Sequence, residues 1–193
     1  MLTGVAERRP FHLITETPGA RRIFFKEDPP CLSHLSRTTP RYTSHSMKIE
    51  SVTLADRDVW LDMRGQLWPG SRDTHARDVD RFYAGHAREP LAVLLAKDDG
   101  GRALGFAELS IRSYAEGCVT DNVAFLEGWF VMPHARGRGV GRALVDACEA
   151  WARSHGCSEL ASDAEPDNEA SIAAHLALGF SDEGLVRCFR KKL

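Results

Sequence analysis

For its first 46 residues the chain shows no periodicity of apolar positions, and from Met47 onward it shows little else. Residues 1–46 carry Pro10, Pro18, Pro29, Pro30 and Pro40, scattered arginines, a Ser/Thr-rich stretch from Ser33 to Ser46, and one short apolar patch, Ile23-Phe24-Phe25. A segment with so little apolar surface cannot offset the entropy of ordering it, so a disordered extension is expected over 1–46. Alternation begins at Lys48-Ile49-Glu50-Ser51-Val52-Thr53 and predicts a strand. Between Asp56 and Leu67 the apolar residues Val59, Trp60, Met63 and Leu67 share one face of a helix, which Trp68-Pro69-Gly70 ends. A second helix is expected between Arg72 and His86. Strands Leu91–Lys97 and Ala103–Ile111 flank Asp98-Asp99-Gly100-Gly101, a hairpin turn. Arg112 to Val123 is a polar loop containing Tyr114. Ala124–Met132 is a strand apolar throughout except for Glu127 and Gly128, and Pro133 stops it.

The second half continues the pattern. A helix from about Gly139 to Ser154 aligns Val140, Leu144, Ala147, Cys148 and Trp151, and Gly156 ends it. A short strand, Glu159–Ser162, leads through Asp163-Ala164-Glu165-Pro166-Asp167-Asn168 to a helix over about Glu169–Leu178. Two last strands are expected near Phe180–Glu183 and Leu185–Arg190. This order predicts an α/β fold: one domain over 47–193, with a central mixed, mostly antiparallel sheet flanked by helices. Met47 reads as a natural start, with the preceding residues added by an upstream one. An Arg/Ser-rich targeting peptide is the rival reading, and its four acids count against it.

Composition narrows the field. The 193 residues carry a net charge of −2, which divides into +3 over 1–46 and −5 over 47–193. An acidic body argues against nucleic acid as a partner and suits a cationic substrate, although mild acidity also serves solubility. The five cysteines form no C-x-x-C, so no metal site or disulfide framework is expected, and a reducing cytoplasm is the expected location. Cys148 falls on an apolar helix face and reads as core. No run of about 18 apolar residues is present, so no membrane span is expected.

The chemistry concentrates in Val131-Met132-Pro133-His134-Ala135-Arg136-Gly137-Arg138-Gly139-Val140-Gly141-Arg142. Gly137, Gly139 and Gly141 permit a tight backbone path without side-chain obstruction. A helix N-terminus follows, whose N–H groups suit a pyrophosphate, and Arg136, Arg138 and Arg142 add positive charge. The spacing is neither a dinucleotide-binding G-x-G-x-x-G nor a P-loop. The pattern R-x-x-G-x-G after V-x-P resembles the acetyl-CoA loop of the GNAT acetyltransferase superfamily. Asn168 at the next helix start and Leu178-Gly179-Phe180 at its end match that family as well. The resemblance implies that the backbone of Trp129, Phe130 and Val131 holds the pantetheine arm and polarises the thioester carbonyl. It implies that Gly137 to Arg142, Val140 included, binds the pyrophosphate, and that Asn168 contacts CoA near its thiol end.

A narrower resemblance concerns the acceptor. Gln66-Leu67-Trp68-Pro69-Gly70, Ser110-Ile111-Arg112, Phe125-Leu126-Glu127-Gly128, Ala161 to Asn168 and Phe189-Arg190-Lys191-Lys192 are similar to the aminoglycoside 6′-N-acetyltransferases. This implies that Trp68 walls a sugar ring, that Tyr114 lines the pocket, that Glu127 and Asp163 bind ammonium groups, and that the enzyme is a homodimer. A histidine expected after W-P-G is Ser71 here. A late acidic position falls on Gly184, with Glu183 beside it as a stand-in. Each residue also has a plainer reading. Glu127 fits an outward-facing strand position, Asp163 a turn or helix cap, and Trp68 and Tyr114 ordinary packing. Asp163, or Glu127 through a water, is the expected proton acceptor. His175 occupies a position six residues from the end of L-G-F where many GNAT enzymes carry a tyrosine acid, and it reads equally as a packed helix residue. Two alternatives stand beside this reading: transfer to another amine, such as a polyamine or a protein N-terminus, and a non-catalytic acyl-CoA sensor.

Overall fold

The computed structural model describes residues 47–193, so the extension expected over 1–46 lies outside the described residues. Strand β1 (Met47–Ser51) is followed by a 3-10 turn (Leu54–Asp56) and by helices α1 (Arg57–Leu67) and α2 (Arg72–Tyr83). Strands β2 (Ala92–Asp98), β3 (Ala103–Arg112) and β4 (Val123–Val131) form a meander. Helix α3 (Val140–Ser154), strand β5 (Leu160–Ser162) and helix α4 (Glu169–Ala177) complete the order. The sheet runs β1-β2-β3-β4-β5, antiparallel through β4, with β5 parallel to β4. The expected mixed, mostly antiparallel sheet flanked by helices is therefore present.

Sequence pattern decides which face each helix covers. β3 pleats so that Phe106, Glu108, Ser110 and Arg112 share one face and Gly105, Ala107 and Leu109 the other. The first face receives α1, through Trp60 on Glu108 and Trp68 edge-on to Phe106. The second receives α3, which buries Val140, Leu144, Val145, Cys148 and Ala152 and seats Leu144 against Gly105.

Two features of β3 and β4 matter for the site. Register runs in step from Gly105↔Val131 to Glu108↔Gly128 and resumes at Leu109↔Leu126, so Glu127 is an extra residue, a β-bulge. Beneath it lies a fully buried ion pair. The Glu108 Oε1 accepts hydrogen bonds from Trp60 Nε1 at 2.9 Å and from Arg64 Nη1, and both charged residues are 0% exposed. The Arg64 guanidinium stands 5.4 Å from the Trp60 ring and 5.0 Å from the Trp68 ring, so it ties α1 to the sheet through charge and aromatic faces together.

The two final strands expected over 180–190 do not form; the residues after α4 are irregular. Leu185, Val186 and Phe189 are exposed there. Such residues suit a strand, but a strand needs a neighbour's N–H and C=O groups, and this segment makes no ladder with the sheet.

Removing one member of the buried pair strands the other. Arg64→Met is expected to lower unfolding free energy by about 3–5 kcal/mol in urea titration. Adding Glu108→Gln, which keeps an acceptor for Trp60, should restore most of that loss. A double variant no more stable than Arg64→Met would contradict this account.

Candidate active site

The glycine loop sits where the sequence placed it, between the end of β4 and α3. Gly137 and Gly139 take φ of 68° and 82°, left-handed values that a side chain resists. The turn they form brings the chain onto the first residues of α3, where Ala143 N–H is the donor to Gly139 C=O. The preceding N–H groups belong to the helix end that has no intrahelical acceptor. Gly141 is the third requirement: a Cβ there would meet Cζ2 of Trp129 at 2.8 Å. A cleft of about 290 Å³ opens beside the loop, lined by Trp129, Val131, Arg136, the three loop glycines, Arg142 and the α4 residues Ala174, Ala177 and Leu178. Open amides, close backbone approach and arginines fit an anionic phosphate ester, and the apolar α4 side fits an uncharged arm.

The predicted cofactor residues divide on inspection. Trp129, Phe130 and Val131 are buried in β4, while Gly137, Arg138, Gly139 and Arg142 face solvent and Val140 is buried under the helix start. Arg136 Nε donates to Val131 C=O at 3.2 Å, so that carbonyl is already engaged. Arg142 Nη2 donates to Ala177 C=O at 3.1 Å, linking the loop to α4 across the cleft. Asn168 caps α4, its side-chain oxygen accepting from Ser171 N–H at 3.1 Å.

β4 and β5 pair only at Ala124↔Leu160, Phe125↔Ala161 and Leu126↔Ser162. The next residue on each strand is an acid, Glu127 on β4 and Asp163 after β5. The two predicted acceptor carboxylates therefore stand at the point where the strands part. Asp163 is exposed and Glu127 is 6% exposed. Burial pushes the Glu127 carboxyl above its usual range, while Ser110 and Arg112 oppose that shift. Ser110 Oγ donates to Glu127 Oε1. Arg112 spans both oxygens, with Nε to Oε1 at 3.1 Å and Nη2 to Oε2 at 2.7 Å. The outward-facing position open to Glu127 on sequence grounds is thus set aside: the bulge turns it onto the α1 face.

The remaining acceptor residues are less gathered. Trp68 is 7% exposed, with its ring edge against Gly128, where a Cβ would meet Cη2 at 2.4 Å. It walls this region from inside the core. Ser71 is exposed at the start of α2, and Tyr114 is 53% exposed in the β3–β4 loop. Glu183 is exposed too, but its side chain lies against Gly117 of that loop. The Glu159 carboxylate anchors the loop by accepting from Thr120 Oγ1 and from the N–H groups of Thr120 and Val119. These donors hold its pKa below the usual range.

One histidine escaped the sequence reading, and His175 is one it had left between two roles. His75 stacks on Trp68 at a 23° interplanar angle and bonds the Trp68 C=O at 2.9 Å, close to where Ser71 replaces the expected histidine. His175 is buried and shares a proton network with Ser162. Its Nδ1 donates to Ser171 C=O at 2.8 Å, which leaves Nε2 to accept from Ser162 Oγ at 3.1 Å. Burial lowers its pKa, keeping the ring neutral. Ser110 and Arg112 were visible as polar alternate positions in an otherwise apolar strand, but only the register shows which acid they meet. Among the described residues no three of His, Cys, Asp and Glu gather as metal ligands, and no helix is long and apolar enough to cross a membrane.

Comparison with known proteins places this arrangement. Residues 57–180 match the acetyltransferase (GNAT) family. The aminoglycoside N(6′)-acetyltransferase type 1 of Klebsiella aerogenes is 53% identical over 146 residues, which span 75% of this chain and 96% of that protein. The corresponding protein of Salmonella typhimurium is 40% identical over 148 residues, 76% of this chain and 99% of that one. Among solved structures, AAC(6′)-Iy bound to the bisubstrate analogue CoA-S-monomethyl-acetylneamine superposes with a TM-score of 0.70 at 39% identity, over 77% of this chain and 99% of that one. AAC(6′)-Ih from Acinetobacter baumannii gives 0.71 at 38% identity, again over 77% and 99%. Glycine loop, parted strands and sequence relationship together show that the chain belongs to the GNAT family of acetyltransferases.

Proposed function

We propose that the protein transfers the acetyl group of acetyl-CoA to the 6′-amino group of aminoglycosides, by direct attack within a ternary complex, and so confers resistance to them. The observation that carries the reading is the pair Glu127 and Asp163, one acid on each strand directly beyond the last β4–β5 pair. An aminoglycoside carries several ammonium groups, so carboxylates where β4 and β5 part both attract and orient it. The relatives' activity toward aminoglycosides supports the same conclusion.

In this mechanism the helix start at Gly139–Arg142 and the loop arginines bind the pyrophosphate, and Asn168 borders the thiol end. The N–H groups of β4 beyond Leu126 polarise the acetyl carbonyl. Asp163, exposed and adjacent, accepts the proton that the amine must lose. The amine nitrogen then attacks the carbonyl carbon, and the C–S bond breaks to release CoA as thiolate, which takes up a proton. Glu127, already bonded three ways, holds substrate ammonium rather than accepting protons itself. Trp68 backs the sugar from the core side, and Tyr114, Ser71 and Glu183 rim it.

The catalytic domain in this reading is 47–193, with 1–46 an extension outside it and the cytoplasm the location. Relatives matched over 96% of their own length but only 75% of this chain support that division. A homodimer is also proposed. The apolar side chains of Leu185, Val186 and Phe189, exposed in one copy, are what a second copy would cover, and light scattering should give twice the monomer mass.

Release of CoA is measured with a panel of aminoglycosides, polyamines and peptides. Turnover is expected with 6′-amino aminoglycosides, with intersecting initial-velocity lines. Asp163→Asn should cut kcat by about 10²–10⁴ at neutral pH, the usual weight of a positioned base. Turnover only with polyamines or peptides would overturn the substrate, parallel lines the ternary complex, and full activity of Asp163→Asn the base. No release with any amine would leave an acyl-CoA sensor.

A further inference from the structure

Two carboxylates lie on the α1 face of the central strands, each with its own arginine, and the pairs differ in one respect. Glu108 and Arg64 are both 0% exposed, and Arg64 reaches on to Asp78 at 3.8 Å. Glu127 is nearly as deep, but its partner Arg112 keeps 33% of its side chain in solvent. Arg112 is itself fixed from a second side, its guanidinium carbon 3.4 Å from the centroid of the Phe125 ring. An arginine held flat on an aromatic ring presents its fork in one orientation.

The bonding of Glu127 is uneven. Oε1 accepts from Ser110 Oγ and Arg112 Nε, whereas Oε2 accepts from Arg112 Nη2 alone. A carboxylate offers about four acceptor directions, so one on Oε2 remains for a substrate ammonium. Only the ionised form offers it as an acceptor. In the protonated form Oε2 becomes a donor and repels an ammonium hydrogen.

We propose that Arg112 is a positioning residue for the amine acceptor, holding Glu127 ionised and clamped so that the free direction of Oε2 receives substrate ammonium. This rests on the acceptor reading above. Without Arg112 the desolvation of Glu127 is opposed by Ser110 alone, and its pKa rises further. Glu89, ahead of β2, pushes the same way. On the same face of β3 stands Glu108, whose partner Arg64 also lies 3.8 Å from Asp78 of α2; His75 stands behind Trp68, and Asp163 follows β5.

Arg112→Gln and Arg112→Lys are compared with wild type, with Glu127→Gln as reference. The Glu127 carboxyl is followed by ¹³C NMR on glutamate-labelled protein, the signal being the one missing from Glu127→Gln. Its titration midpoint should move up in Arg112→Gln and lie between the two in Arg112→Lys. With kanamycin, KM at neutral pH should rise about tenfold or more in Arg112→Gln, the scale of losing a hydrogen bond to a charged group, while KM for acetyl-CoA stays put. The ratio of variant to wild-type kcat/KM should recover as pH rises for Arg112→Gln and remain flat for Glu127→Gln. An unmoved Glu127 midpoint, an unchanged or lowered kanamycin KM, or a flat ratio for Arg112→Gln would overturn the proposal. The NMR titration needs no acceptor, so it decides the role of Arg112 even were the wild-type enzyme to acetylate no aminoglycoside, a result that sinks the substrate reading alone.

Discussion

Everything functional in this molecule follows from a sheet that stops being one. β4 is bonded to β3 along its whole length but to β5 for only three residues, after which, among the described residues, its outer edge has no strand beside it. Unpaired N–H and C=O groups on a buried strand are costly unless something supplies partners. In this chain Arg136 satisfies one of them, at Val131. The proposed function assigns the rest to an extended ligand arm with amide groups, with the helix start that follows the strand at hand for the phosphates at its other end. The same parting sets the proposed acceptor side, because the first residues past it are Glu127 and Asp163.

Placing carboxylates there demands compensation. Glu127 stands in a strand buried at every position, and Glu108 lies deeper on the same face. Each is matched by an arginine, and each arginine is held against aromatic rings: Arg64 by Trp60 and Trp68, Arg112 by Phe125. The arrangement anchors α1, and through Trp68 it sets the close approach to Gly128 that keeps the bulge in place. Stability and the proposed acceptor recognition thus draw on neighbouring side chains.

What was legible in the sequence was local. Gly137, Gly139 and Gly141 with their arginines announce a phosphate-binding turn because the backbone path they permit depends on nothing distant. The helices and the first five strands followed from periodicity within a residue or two of their observed ends, except α2, which stops at Tyr83, three residues before the expected His86. Glu127 was correctly marked as an anomaly in an apolar strand, but its clamp by Ser110 and Arg112 depends on a bulge, which only pairing with β3 reveals. Trp68 left core and pocket open because both need a large apolar ring; the structure shows it nearly closed off, touching the site by one edge. The residues after Phe180 misled for the opposite reason: the apolar Leu185-Val186 and Cys188-Phe189 suit a strand, and composition alone does not supply a partner.

The central claim is that one cleft, opened by the parting of β4 from β5, takes CoA on the α3–α4 side and a polycationic amine at Glu127 and Asp163. The most direct test is a crystal structure of this protein with a CoA–aminoglycoside conjugate. The account predicts the pyrophosphate on the N–H groups of Gly139 to Arg142, the linking arm along β4 beyond Leu126, and sugar ammonium groups at Glu127 Oε2 and Asp163. A conjugate whose sugar lies away from both acids, with Arg112 and Glu127 still paired and the amine held elsewhere, would contradict it.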